Sequence, residues 1–214
     1  MSAKPFVILG AGGHGRVVAD ALRSSGLEVA AFLDSDRSIH GTSIDGVRVA
    51  GGDEALAGYP PARYSAAIGV GGLKDTRRRR AVFEAAAAAG ADLPPVVAAS
   101  AVVSASARLG PGAQVLTRAV VHPGASIGAG AVVNTAAVVE HDAAVGDHAF
   151  VGPAAVILGG ARIGADAFVG AGAVVLPGIR VGAGALVAAG AVVRAAVPDG
   201  GKALGRGARL RRSR

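Results

Sequence analysis

From Val97 to Val193 every sixth residue is Val, Leu or Ile, without a break. Ala stands four residues after each of them, except at Ile179 and Val197, and Gly often follows directly, as in Leu109-Gly110, Ile127-Gly128, Val145-Gly146 and Ile163-Gly164. A period near 3.6 marks a helix and a period of 2 a strand. Six is neither, but three sixes make an eighteen-residue coil of three short strands, repeated by stacking. In such a β-helix the aliphatic residue of each hexapeptide points inward. Each strand pairs with its equivalent one coil further on, so residues 97–198 predict a prism about 27 Å long at a strand spacing of about 4.8 Å.

Ahead of the repeat the pattern is different. Phe6-Val7-Ile8-Leu9 reads as a buried strand, followed by the turn Gly10-Ala11-Gly12-Gly13-His14-Gly15. A helical stretch from Arg16 to Ser25 closes at Gly26, and a second strand, Val29 to Leu33, ends at Asp34. Ala66 to Gly71 reads as a further strand and turn, and Arg77 to Ala89 as a helix ended by Gly90. These segments predict a small α/β domain, Rossmann-like, with a three- or four-stranded parallel sheet. The change comes at Pro94-Pro95. The expected organisation is therefore an α/β domain over 1–95, an all-β parallel β-helix over 96–198 and a basic tail over 199–214.

Composition narrows the function classes. Aromatic residues are 3% of the chain and there is no Trp, which suits a narrow core of Val, Ile, Leu and Ala. There is no Cys, so no disulfide contributes. No apolar run is long enough to span a membrane, and the strand at Phe6 is not preceded by a signal-peptide pattern, so the cytoplasm is the expected compartment. The net charge of +7 gathers in Arg77–Arg80 and in the tail, Lys202 to Arg214. Without aromatic stacking platforms this does not read as a nucleic-acid surface. Burial of the aliphatic column alone does not offset the entropy of ordering the repeat. The Ala column, the hydrogen-bond ladder and a subunit interface are expected to contribute the rest, the chain assembling as a homotrimer of parallel prisms.

The chemistry-bearing residues are few. The glycine-rich turn places free amides at a helix N-terminus, a ready phosphate site. Gly12, Gly13, His14, Asp34 and Gly69 would gather at the carboxyl ends of the strands, where open parallel sheets bind ligands. The same string fits a dinucleotide fingerprint, but too little chain remains before the repeat for a dehydrogenase. In the β-helix, His141 lies between Glu140 and Asp142. Imidazole titrates near the working pH and serves as a general base, and a neighbouring carboxylate orients it. One coil on from His141 stands Gly159, which would leave space above the ring and a backbone amide for a developing oxyanion. Asn134 is either a sugar contact or a turn residue. By the same spacing His122 pairs with Glu140, His148 with Asp166, and Arg162 stacks on Arg180. His122, His141 and His148 do not fall into a close zinc set, so no metal is expected.

The motifs GAGGHGRVVAD, FLD, NTAAVVEHD and the terminal GRGAR, over nearly the full length, resemble the hexapeptide-repeat sugar acyltransferases, among them the sialic acid O-acetyltransferases and the UDP-4-amino-sugar N-acetyltransferases. The resemblance implies a left-handed β-helix and acetyl-CoA as co-substrate. It implies a sugar-nucleotide acceptor, most simply the amino group of a UDP-4-amino-sugar, in bacterial surface glycan synthesis, with sialic acid O-acetylation or a non-catalytic trimeric scaffold as alternatives. It casts His141 as base, Asp142 as its partner and Gly159 at the acyl group. Gly12, Gly13 and His14 would contact the phosphate–sugar part, Asp34 and Ser35 the base, and Gly69 the same pocket, with Asn134 on the acceptor. Ala171, Ala189 and Arg209 would line the CoA arm. Phe150 stands where many relatives carry a second His near the acetyl group, and Gly207 replaces the usual Pro of the terminal turn.

Overall fold

The computed structural model describes residues 3–72 and 76–205. Arg209 and Gly207 lie outside the described residues.

The N-terminal domain is built from β1 (Phe6–Leu9), α1 (Gly13–Ser24), β2 (Val29–Leu33), β3 (Ser43–Ile44), β4 (Val47–Gly51), β5 (Ser65–Ile68) and α2 (Arg77–Ala88). Its sheet has five strands in the order β3-β4-β2-β1-β5, not the three or four expected. All pairings are parallel except β3–β4. The extra strands come from the hairpin turn Asp45-Gly46, with φ of 48° and 77°. Two successive positive φ angles give the turn whose twist matches a tight hairpin, and Asp-Gly favours it. Both faces of the sheet are covered. Val18 and Leu22 of α1 pack on one face with Ile8, Phe32 and Val49, and Phe83 and Ala86 of α2 on the other with Val7, Leu33 and Ile68.

From Val96 the chain winds into a left-handed parallel β-helix with three flat faces of two-residue strands. Strands pair eighteen residues apart, as Val120 with Val138 and Val138 with Val156. The aliphatic and Ala columns together fill the interior; Val133, Ala137, Val139 and Ala143 are representative. The first face, which begins at Val96–Val97, gains a seventh strand at Lys202–Ala203.

What each face turns outward decides what covers it. On the first face the outward residues Val96, Val132 and Phe150 are buried in one cluster with α1. The Ser25 hydroxyl donates to the Val97 carbonyl at 2.8 Å, tying the end of α1 to the same face. The third face presents Arg108, Ser126, Ala144, Arg162 and Arg180. The second presents valine at every level: Val102, Val120, Val138, Val156, Val174 and Val192. At its ends Val102 is 63% and Val192 50% exposed.

Candidate active site

The glycine-rich turn is shaped by close approach. Gly10 has φ of 108°, and a Cβ there would sit 2.8 Å from the Gly69 carbonyl carbon. A Cβ on Gly15 would collide with the Gly10 carbonyl. The turn is therefore pressed against the end of β5, and α1 begins at Gly13, three residues earlier than expected. The Asp34 carboxylate secures it: Oδ2 accepts from the Ala11 amide at 2.7 Å and Oδ1 from the Asp36 amide at 2.9 Å. Both oxygens of Asp34 are thus engaged with backbone. The neighbouring Ser35 hydroxyl accepts from Arg78 Nη2 at 3.3 Å.

This turn forms one wall of a cleft of about 1110 Å³. Gly12, Gly13, His14, Asp34, Ser35 and Gly69 line it from the α/β domain, and Asn134, Phe150, Phe168 and Ala171 from the prism. Asn134 Oδ1 accepts from the Thr135 amide at 2.7 Å. Phe150 lies parallel to Phe168, ring centroids 5.2 Å apart, and crowds Gly72. Ala189 stacks on the coil above Ala171, where the Gly190 amide donates to the Ala171 carbonyl at 2.9 Å.

His141 is elsewhere. It does not line the cleft but follows the second-face strand Val138–Val139, at the edge of the valine face. Its side chain is 65% exposed. Nδ1 and Asp142 Oδ2 are 3.0 Å apart, and this hydrogen bond, more than the Asp142 and Glu140 charges, raises the imidazole above its ordinary pKa. Asp142 reaches back because it turns the corner with φ of 59°, a conformation Asp tolerates better than most residues. Nε2 is directed at the next coil, where a Cβ on Gly159 would stand 2.6 Å away. The Gly160 amide is taken by the His141 carbonyl at 3.0 Å, whereas the Gly159 amide has no hydrogen-bond partner among the described residues.

Of the spaced pairs, His122 Nε2 lies 3.7 Å from Glu140 Oε1. Arg180 lies 2.8 Å from Asp199, which relieves its stacking on Arg162. The expected His148–Asp166 pair does not form. Asp166 is held by Arg80 at 2.7 Å, while His148 is buried edge-on against Phe83 and its Nδ1 has no partner. Among the described residues no group of three or more His, Cys, Asp or Glu side chains is arranged to hold a metal ion.

Two residues of the junction between the domains escaped the reading of the sequence. Gln114 is fully buried between His14 and the end of β5, and Arg79 is 1% exposed beside it. The signal for Gln114 was present: it is the polar member of an otherwise apolar outward column, Val96, Gln114, Val132, Phe150, Phe168, Leu186. Arg79 sits in a run of four arginines and carries no comparable mark.

Comparison with known proteins follows these divisions. The profile of the PglD N-terminal domain matches residues 5–86, that of the six-repeat bacterial transferase hexapeptide residues 160–195, and that of the succinyl-transferase hexapeptide repeat residues 143–175. A search of curated proteins finds no match. Among solved structures, the chain is similar to a mutant perosamine N-acetyltransferase from Caulobacter crescentus in complex with CoA and GDP-perosamine. Identity is 37%, coverage 94% of this chain and 93% of the other, and TM-score 0.85. It is also similar to the acetyltransferase domain of PglB from Neisseria gonorrhoeae in complex with acetyl coenzyme A, at 34% identity, 94% and 96% coverage and a TM-score of 0.86. WeeI from Acinetobacter baumannii, 24% identical over 94% of this chain and 96% of that one, with a TM-score of 0.81, shares the fold.

Proposed function

The chain belongs to the hexapeptide-repeat sugar acyltransferase family, and from that premise we propose that it transfers the acetyl group of acetyl-CoA to the amino group of a nucleotide-linked amino sugar. The carrying observation is the His141 imidazole, held by Asp142 through Nδ1 and pointing Nε2 at the side-chain-free surface of Gly159. In this reading the neutral acceptor amine attacks the thioester carbonyl. His141 Nε2 takes the proton the amine sheds, and the carbonyl oxygen gains negative charge. The unpartnered Gly159 amide is placed to donate to that oxygen, an interaction that contributes about 3–4 kcal/mol in comparable sites. Collapse expels the CoA sulfur, which leaves with the proton that His141 returns. Asp142 keeps the ring in the tautomer whose Nε2 can accept.

The cleft is the acceptor site in this reading, with the amides of the glycine-rich turn around the pyrophosphate and Ser35 toward the base. Phe150, Ala171 and Ala189 form the smooth wall along which the CoA arm lies. The sequence alone suggested a UDP carrier, whereas the 37% identical relative was crystallised with GDP-perosamine. A thiol-release assay with acetyl-CoA against GDP- and UDP-linked amino sugars decides between them. Release with none of these acceptors removes the sugar-nucleotide assignment.

The homotrimer is part of the same proposal. One face of the prism carries the α/β domain, one is polar, and among the described residues no helix or strand packs on the outward side of the valine face. A second copy packed there covers the valines. It also brings the cleft of one protomer to the edge at which its neighbour's His141 stands. In this reading the reaction runs in the cytoplasm, the compartment the sequence led us to expect. No helix among the described residues is long and apolar enough to cross a membrane.

A further inference from the structure

His14 lines the cleft from the start of α1, and its hydrogen bonds fix more than its position. The Ile68 carbonyl can only accept, so the Gln114 side chain must turn its amide nitrogen toward it, at 2.8 Å. Gln114 Oε1 then faces His14 Nε2 at 2.9 Å, and because that oxygen can only accept, Nε2 must carry the proton. Arg79 Nη1, 3.4 Å from Nε2, is likewise a donor, so the contact is no hydrogen bond but a positive charge beside the ring. Arg79 is itself held by three carbonyls, those of Ile68, Val70 and Gly130, at 3.1, 2.9 and 3.3 Å. No carboxylate pairs with it among the described residues. Of the groups packed about His14, Arg79 on α2 supplies the charge that acts on the ring, the prism supplies neutral Gln114, and β5 supplies carbonyls. Burial first and Arg79 second pull the His14 pKa down to about 4, against the smaller opposing pull of Gln114. The remaining ring nitrogen, Nδ1, has no partner among the described residues, yet it is not among the sealed-off polar atoms.

We propose that Gln114 and Arg79 are positioning residues that lock His14 as the neutral Nε2–H tautomer, so that Nδ1 offers the cleft a hydrogen-bond acceptor for a hydroxyl or amine of the bound nucleotide sugar. A neutral acceptor has nothing to give a pyrophosphate oxygen, so His14 reads the saccharide or ribose side of the ligand while the neighbouring amides take the phosphates. Within the phosphate–sugar contact that the family resemblance implied for His14, this assigns the ring to the sugar side. It rests on the sugar-nucleotide reading of the cleft, but the state of the ring is testable without any ligand.

The test uses the full protein labelled with ¹⁵N-histidine. With five histidines, His14 is assigned by the signal lost in His14→Gln. The expected spectrum shows a neutral Nε2–H ring unchanged between pH 5.5 and 8. A ring that titrates above pH 6, or one protonated at Nδ1, overturns the proposal whether or not a sugar binds. Gln114→Glu should bring the His14 titration back toward the ordinary imidazole range, and melting curves check that the variant is folded. For the ligand contact, calorimetry compares GDP-perosamine and GDP. His14→Asn keeps a polar atom where Nδ1 stood, and His14→Gln keeps one only where Nε2 stood. The Gln variant should bind at least about tenfold more weakly than the Asn variant, the scale of one lost hydrogen bond. A loss shared by GDP puts the donor on the ribose and a loss confined to GDP-perosamine puts it on the sugar, and both support the contact. Equal affinity of the two variants for each ligand sinks it. A wild-type protein that shows the locked ring but binds neither ligand counts against the sugar-nucleotide reading instead.

Discussion

At the scale of the residue, the proposed chemistry depends on one imidazole and two neighbours. Replacing His141 with Ala should lower kcat by about 10² or more, the contribution typical of a positioned base, with the oligomer unchanged by light scattering. The pH profile carries a sign. The hydrogen bond that the ring donates to Asp142 raises the His141 pKa, so the base form is scarcer at a given pH than for free imidazole. The acid limb of kcat/KM should therefore lie above about 6.5, the ordinary imidazole value. Asp142→Asn removes the cause: the limb should move to lower pH while kcat falls, because the ring loses its orientation. A limb that stays in place in that variant would assign it to another group. Gly159→Ala tests the space above the ring. A Cβ 2.6 Å from Nε2 has no room unless the ring moves, so turnover should fall sharply while the melting temperature changes little. The adjacency of His141 and Asp142 was legible in the sequence, and so was the glycine one coil on. The tautomer of His14 was not, since it is set by residues 100 and 65 positions away along the chain.

At the scale of the element, the period of six was enough to place the strands of the prism from Val96–Val97 to Val192–Val193, because it reflects one geometric unit; the last strand, Lys202–Ala203, lies off that period. Most hexapeptides put one aliphatic and one Ala side chain into the interior, and from Gly112 to Gly190 the residue three beyond the aliphatic one turns the corner with positive φ. Gly124, Gly130, Gly160, Gly172 and Gly184 fill that place, and so do Arg118, Ala136, Asp142, His148 and Asp166. The mixture hides the corner from a search for glycine alone. The β3–β4 hairpin shows the opposite failure: Asp45-Gly46 is a strong turn signal, but strands of two and five residues carry too little alternation to stand out beside it. Interior packing makes a direct prediction. Ile157 is fully buried, so Ile157→Ala should destabilise by about 2–5 kcal/mol and Ile157→Val by about 0.5–1.5 kcal/mol, read by chemical denaturation. The order of the two variants is the sensitive part, because the column leaves little freedom to collapse around a void.

At the scale of the whole molecule, the three faces of the prism divide the labour, and among the described residues the valine face carries no packed element. The valines that mark it recur every eighteen residues and were as legible as the interior column, but their meaning emerges only once the other two faces are seen to be occupied or polar. Val138→Asp and Val156→Lys should each shift the protein toward monomer in light scattering and abolish turnover, with the β signal in circular dichroism retained. A symmetric closed ring makes a sharper demand, since every active site then joins His141 of one protomer to the cleft of the next. Gly12 has an ordinary φ of −73° and open space beyond it, so Gly12→Phe should block the cleft without breaking the turn. Alone, Gly12→Phe and His141→Ala protomers should both be inactive. Unfolded together at equal amounts and refolded, they should assemble at random, and about one site in four then joins an intact cleft to an intact base. Recovery near a quarter of wild-type turnover is the expected outcome. If base and cleft of the same protomer worked together, no mixed trimer would contain a competent site, and the mixture would stay as inactive as its parts.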